Sequence, residues 1–327
     1  MAKLDFQDVL IVPKTSSVNS RAEITYKRDL IGRTGIHYGK FFPIVAANMD
    51  NIGVHSVLKV FENYDAIVAV TKTIERRALL RPEWLAHKKS AMITIGLNED
   101  YGILDELMAE YSLLCIDVAN GYTDVFAQKV EEVRTRYPKA YFMAGNIATA
   151  EGAKRLYDLG VDCIKAGIGS GSACLTRQVA GVGYPQLSAV RDILSESASF
   201  APEGIKICSD GGCSVAGDVV KALAAGAELV MLGGMLAGYK ETGEVFYGMS
   251  SEKANNRHFG GLQGYRASEG RELNINREGS VSQVLDTVRG GVTSACAYVG
   301  AHNLNELCAN THFIEVNRQL NESLARL

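Results

Sequence analysis

The chain lacks most of the devices that would mark a metal, nucleic-acid or membrane protein. Its seven cysteines are an odd number with no Cys-x-x-Cys pair, and its six histidines are scattered. That excludes a zinc-finger-type site and a disulfide framework, and it points to a reducing, cytoplasmic setting. Charge is nearly balanced: 34 basic against 37 acidic residues leave a formal net charge of −3. Neither nucleic acid nor an anionic membrane is therefore an expected partner. No apolar run reaches the roughly 18 residues of a spanning helix. The opening Met-Ala-Lys-Leu-Asp-Phe has neither the basic nor the apolar part of a secretion signal. Ala325-Arg326-Leu327 resembles a peroxisomal address only loosely and is read as chance. No low-complexity tract or linker interrupts the chain. No Gly-x-Gly-x-x-Gly lies between a strand and a helix, so a doubly wound dinucleotide-binding domain is not expected.

What is present is a rhythm. Short apolar runs occupy 43–50, 66–72, 91–96, 113–121, 141–146, 163–169, 205–212 and 228–234. Each reads as a strand buried on both faces, as in a parallel sheet. Helical periodicity fills 122–136, 149–159 and 214–225 between them. Eight such units predict one (β/α)8 TIM barrel over 1–327, and their even spacing weighs against a doubly wound sheet. The polar and glycine residues cluster just after the runs: Asn48-Met49-Asp50, Lys72, Asp117, Asn146, Asp210-Gly211-Gly212 and Gly233-Gly234. In a barrel these positions form the C-terminal rim, where active sites and phosphate sites lie. Residues 241–280 break the rhythm and read as a long active-site flap, and 281–327 read as a helical tail.

The densest signal is Gly167-Ile-Gly-Ser-Gly-Ser-Ala-Cys174-Leu-Thr-Arg177, directly after the sixth run. Glycines permit close ligand approach, and successive loop N–H groups can hold a phosphate or favour a thiolate. Cys174 is the candidate nucleophile. The alternative is a tight turn with a buried structural cysteine.

At this point the residues resemble a family. Gly169-Ser-Gly-Ser-Ala-Cys174, Gly181-Val-Gly-Tyr-Pro-Gln-Leu-Ser-Ala-Val190, Ser209-Asp-Gly-Gly212, Met231-Leu-Gly-Gly-Met-Leu-Ala-Gly238, Phe246-Tyr-Gly-Met-Ser-Ser251 and Tyr265-Arg-Ala-Ser-Glu-Gly270 are similar, in order, to the GMP reductases, sisters of the IMP dehydrogenases. The likeness runs from Lys3-Leu-Asp-Phe to Tyr298-Val-Gly-Ala301. Residues 99–110 leave no room for the CBS-type domain pair that dehydrogenases insert, and the flap wording is the reductase's.

The resemblance implies NADPH-dependent conversion of GMP to IMP and ammonia through a covalent bond to Cys174, with Thr176 and Glu269 as the proton-donating pair. It implies that Ser172, Gly211, Gly212, Gly233 and Gly234 hold the phosphate and that Asp210 anchors the ribose. Gly248, Met249, Ser250, Arg266 and Ser268 would read and cover the purine. Lys72, Asp117, Val118 and Ala119 would contact the cofactor at the rim, with Ser20, Arg21, Ser294 and Ala297 at its adenine end, partly across a subunit boundary of a homotetramer. Backbone carbonyls at Gly169, Gly171 and Cys174 would hold a monovalent cation such as K+. Several residues keep bland alternatives: Glu269 as a solvated flap residue, Asp210 as a strand-end cap, Met249 as packing and Lys72 as a loop lysine. The sequence also departs from its relatives. Thr71 and Thr73 stand where relatives carry histidines beside the lysine, Gln178-Val179-Ala180 follows Thr-Arg, and Ser170 and Leu175 flank the cysteine in place of proline and threonine. Oxidation of IMP to XMP, and nucleotide binding without turnover, remain the alternative functions.

Overall fold

A computed structural model describes residues 2–316 apart from 259, 262, 263 and 266. The eight runs become eight parallel strands: β1 (Ile44–Ala46), β2 (Ile67–Val70), β3 (Ala91–Ile95), β4 (Leu113–Asp117), β5 (Tyr141–Ile147), β6 (Cys163–Ala166), β7 (Ile207–Asp210) and β8 (Leu229–Leu232). They are apolar on both faces because both faces are covered, as in Ile-Val-Ala-Val of β2, which is wholly buried. Each strand bonds the next, and β8 closes on β1 through Leu232 opposite Ala46, making a closed barrel. Closure leaves no free edge on the barrel sheet.

Parallel neighbours need crossover connections. Helices α1 (His55–Glu62), α2 (Pro82–Leu85), α3 (Tyr101–Glu110), α4 (Asp124–Arg136), α5 (Ala150–Asp158), α6 (Thr176–Val179), α7 (Gln186–Ser197) and α8 (Ala216–Ala224) supply them. Local chemistry sets their starts. Thr123 accepts the Phe126 N–H at the head of α4, and Phe126, Val130 and Val133 then form its buried stripe. Between β3 and β4 there is only α3 and two short turns, so no inserted domain is present there.

An antiparallel hairpin, Arg28–Ile31 with His37–Phe41, leads directly into β1 and covers the N-terminal mouth, where Phe41 and Phe42 are buried. At the opposite end, segment 241–280 is more ordered than a loop. Val245–Tyr247 pairs antiparallel with Glu272–Asn274, and α9 (Glu252–His258) lies between them. The tail differs from the all-helical expectation. After α10 (Ser282–Val299) and α11 (Leu304–Asn310), Phe313–Glu315 forms a strand on Val9–Ile11. Helical periodicity ends at Asn310, and the following Phe-Ile-Glu finds open backbone partners near the N-terminus. Residues 317–327, including Ala325-Arg326-Leu327, lie outside the described residues.

Candidate active site

The loop after β6 carries Cys174, and the returning limb of the flap lies upon it. The Leu175 N–H donates to the Glu269 carbonyl at 2.6 Å, and the Arg271 N–H donates to the Ala173 carbonyl at 3.0 Å. The Arg271 guanidinium adds two bonds to the Ser172 carbonyl, at 2.9 and 2.7 Å. This pairing brings together three side chains separated by up to 95 positions. The Cys174 Sγ lies 3.2 Å from Thr176 Oγ1, and Thr176 Oγ1 donates to Glu269 Oε2 at 2.7 Å. Thiol, hydroxyl and carboxylate thus lie on one hydrogen-bonded line, an arrangement along which a proton can pass. Glu269 is thereby tied to the cysteine loop rather than left as a solvated flap residue.

The other cysteines are differently placed. Burial pushes the thiols of Cys163, Cys208 and Cys213 well up, that of Cys115 up to about 12 and that of Cys296 up to about 11. Such thiols stay protonated at neutral pH and are inert. Cys308 sits in α11, away from the rim.

Two loops form a cradle beside Cys174. The Ser170 hydroxyl donates to the Asp210 carbonyl at 2.8 Å, and the Gly212 N–H donates to the Ser170 carbonyl at 2.9 Å. Ser170 thus stitches the loops after β6 and β7. Gly211 has φ +83°, and a Cβ there would stand 2.9 Å from the Gly171 N. On the far side, a Cβ on Gly234 would stand 2.3 Å from Ser172 Oγ, so the serine hydroxyl and the Gly233-Gly234 backbone face one small space. Gly248, Met249 and Ser250 form the turn after Tyr247, and the Ser250 carbonyl accepts the Glu269 N–H at 3.3 Å. Ser268 Oγ bonds within the flap, to the Gly270 carbonyl at 3.1 Å. Arg266 lies outside the described residues.

A residue that sequence reasoning overlooked joins the two halves of the rim. Lys165 lies within β6, its side chain only 4% exposed. Its Nζ donates to Asp117 Oδ1 at 2.8 Å, Asn146 Oδ1 at 2.9 Å and Asp210 Oδ2 at 2.5 Å. Asn146 in turn donates to the same Asp210 oxygen at 2.7 Å. Burial alone would raise the Asp117 carboxyl, but the Lys165 and Lys72 ammonium groups hold it well below the carboxylate range. Burial likewise works against charge on Lys165, and Asp117 and Asp210 overcome it and raise its pKa. The sequence signal was a charge inside the apolar run Cys-Ile-Lys-Ala.

Among the described residues, Lys72 makes only long contacts, 3.3 Å to the Asp117 carbonyl and 3.6 Å to Asp117 Oδ2. Its ammonium has donors to spare toward the described residues, and Ala119, two residues after Asp117, is exposed. This donor set fits an anionic dinucleotide at the rim. Ser20 and Arg21 are not brought there. They open the 3-10 turn Arg21–Glu23, which packs against α10, the helix carrying Ser294 and Ala297. Barrel helices run opposite to strands, so the end of α10 that holds Ser294 and Ala297 lies toward the N-terminal face. Of the three carbonyls expected for a monovalent cation, that of Gly171 accepts the Cys174 N–H at 3.0 Å. Among the described residues no cluster of three His, Cys, Asp or Glu could hold a metal, and no helix is long and apolar enough to cross a membrane. Nothing in the structure explains Leu175 or Gln178-Val179-Ala180.

Comparison with known proteins adds to this geometry. The family model described as IMP dehydrogenase / GMP reductase domain matches residues 87–325. A human protein named GMP reductase 2 is 42% identical, over 98% of this chain and 96% of its own length. Proteins named GMP reductase from Klebsiella pneumoniae and Aliivibrio fischeri are each 40% identical with the same coverage.

Proposed function

Because the chain belongs to the IMP dehydrogenase / GMP reductase family, we propose that it is a GMP reductase, converting GMP, NADPH and two protons to IMP, NADP+ and ammonium. The observation that carries this reading is the Cys174–Thr176–Glu269 relay on the glycine loop. Carbon 2 of the purine carries the amino group to be replaced, and a nucleophile there makes the replacement stepwise. The Cys174 thiol passes its proton through Thr176 to Glu269 and attacks carbon 2 as the thiolate. The ring takes the displaced electron pair at nitrogen. The relay then runs in reverse: Glu269 returns the proton through Thr176 to the departing amine, which leaves as ammonia. The purine remains bound to sulfur. NADPH, held at the Lys72 side of the rim, would supply the hydride that takes the place of sulfur on carbon 2, and the Cys174 thiolate so released would take back a proton, restoring the thiol.

Ser172, Gly211, Gly212, Gly233 and Gly234 hold the phosphate in this reading, Asp210 binds ribose hydroxyls, and Gly248, Met249, Ser250, Arg266 and Ser268 cover the base. Asp210 suits the ribose because Lys165 and Asn146 both bond its Oδ2, which leaves Oδ1 for another donor. Lys72, Asp117, Val118 and Ala119 would hold NADPH at the rim. In this reading Ser20, Arg21, Ser294 and Ala297 serve the cofactor of a second copy, in a cytoplasmic homotetramer of single-domain subunits, as the family resemblance implies. The test is direct. GMP with NADPH should consume reduced cofactor and release ammonia in equal amounts, with kcat/KM higher for NADPH than for NADH. Production of reduced cofactor from IMP and NAD instead would assign the dehydrogenase reaction. Inertness in both assays would assign a nucleotide-binding role without turnover.

A further inference from the structure

Asp50, on the loop after β1, is a convergence point with no part in the chemistry above. Its side chain is 4% exposed, and both oxygens are occupied. Oδ1 accepts Thr73 Oγ1 at 2.7 Å, with Thr71 Oγ1 at 3.4 Å, and the two threonine hydroxyls lie 3.0 Å apart. Oδ2 accepts the Tyr247 hydroxyl at 2.6 Å and also bonds the His258 Nε2. Arg257 donates to the Tyr247 oxygen at 3.0 Å, and Asn51 donates to the Val245 carbonyl at 2.6 Å. Burial alone would raise the Asp50 carboxyl, and the Tyr247, His258 and Thr73 bonds hold it down, so it stays charged. The partners come from two separate elements. Thr71 and Thr73 bracket Lys72 on the loop after β2. Tyr247 immediately precedes Gly248-Met249-Ser250, and His258 ends the flap helix.

We propose that Asp50 is a positioning residue that fastens the flap to the Lys72 loop, so that a purine nucleotide held under Gly248–Ser250 raises the affinity of the dinucleotide at Lys72. A carboxylate accepts from all of these donors at once, and no neutral group of the same shape does so. With the clasp closed, flap position and Lys72 position are one variable. A nucleotide that favours the closed flap then favours the loop that binds the cofactor, and the coupling is reciprocal. The clasp also uses Thr71 and Thr73, whose hydroxyls both reach Asp50 Oδ1. The ligand assignments rest on the reading of the preceding subsection, whereas the clasp itself does not.

The experiment compares wild type with Asp50→Asn, Thr73→Val and the conservative Thr73→Ser. NADP+ affinity is measured by titration with and without saturating IMP, and hydrogen–deuterium exchange is followed over 245–258. In wild type, IMP should tighten NADP+ binding by on the order of tenfold. In Asp50→Asn and Thr73→Val that factor should fall to about onefold. IMP affinity should fall by no more than about a few-fold as the closed flap is less populated, exchange over 245–258 should rise, and Thr73→Ser should keep both readouts near wild type. Retained coupling and unchanged exchange in folded Asp50→Asn and Thr73→Val would overturn the proposal. If wild type binds neither nucleotide, the functional reading fails, and the exchange measurement alone decides the clasp.

Discussion

Cys174 differs from the other cysteines in what surrounds it: a glycine loop, a hydroxyl at 3.2 Å and a carboxylate behind that hydroxyl. Cys174→Ala removes the nucleophile and spares the phosphate and ribose contacts. It is expected to abolish turnover while GMP still binds within a few-fold of wild type, measured by calorimetry alongside NADPH consumption. Substantial residual turnover would contradict a covalent route. Glu269→Gln keeps the shape of the relay but cannot carry its proton. Ammonia release should slow by on the order of 100- to 10,000-fold, with a much smaller change in GMP affinity. Near-normal ammonia release would reduce Glu269 to a residue that only orders the flap.

At the scale of elements, the site is an agreement between loops. The loops after β6 and β7 are joined by Ser170, and the flap's return limb is joined to the cysteine loop by Arg271. Gly211 is where this agreement is least tolerant. An alanine there would be held at φ +83° with its Cβ 2.9 Å from the Gly171 N. The left-handed conformation costs about 1–2 kcal/mol for a residue with a side chain. Relief of the clash would move the loops proposed to hold the phosphate. Loss of one or two charge-assisted bonds to phosphate corresponds to on the order of 10- to 100-fold in affinity. Gly211→Ala should therefore raise the KM for GMP by that factor, with a Tm lower by only a few degrees. An unchanged KM would place the phosphate elsewhere.

For the molecule as a whole, the buried charges of the rim set the response to pH. The Asp117 carboxyl is depressed in the fold, so its contribution is present above its unfolded value and lost as pH falls through the folded one. The Lys165 pKa is raised, so its contribution is present below its unfolded value and lost only as pH rises through the higher folded one. With unfolded values near 3.9 and 10.4, Tm should be level between about pH 5 and pH 9 and fall below about pH 4. In Lys165→Met the burial of Asp117 loses its chief counter-charge. The acid limb should move up by about a pH unit or more, which thermal melts across pH would show; an unmoved limb would mean that Lys165 does not hold the carboxylate charged. A second whole-molecule expectation concerns assembly. Ser20 and Arg21 stand away from the rim of their own barrel. If a neighbouring copy uses them, mixed assemblies of inactive Cys174→Ala with a cofactor-deficient Arg21→Glu should recover activity that neither has alone. No recovery would leave Arg21 without a role in the cofactor site.

Local information in the chain was enough for the barrel. Apolar runs buried on both faces, helical stretches between them and polar residues at each run's end are short-range patterns, and they gave the eight strands and the rim positions of Lys72, Asp117, Asp210 and Cys174. The motif around Cys174 and the Glu269 segment could be matched for the same reason. What the chain could not show was which distant groups meet. Lys165 finds Asp117 across 48 positions and Asp210 across 45, and Asp50 finds His258 across 208. The strand Phe313–Glu315 finds Val9–Ile11 only because barrel closure brings the two ends of the chain together. Periodicity reports the environment of each residue, buried or exposed. The identity of its partner is decided by closure of the barrel and the fold of the flap, and those are properties of the assembled structure alone.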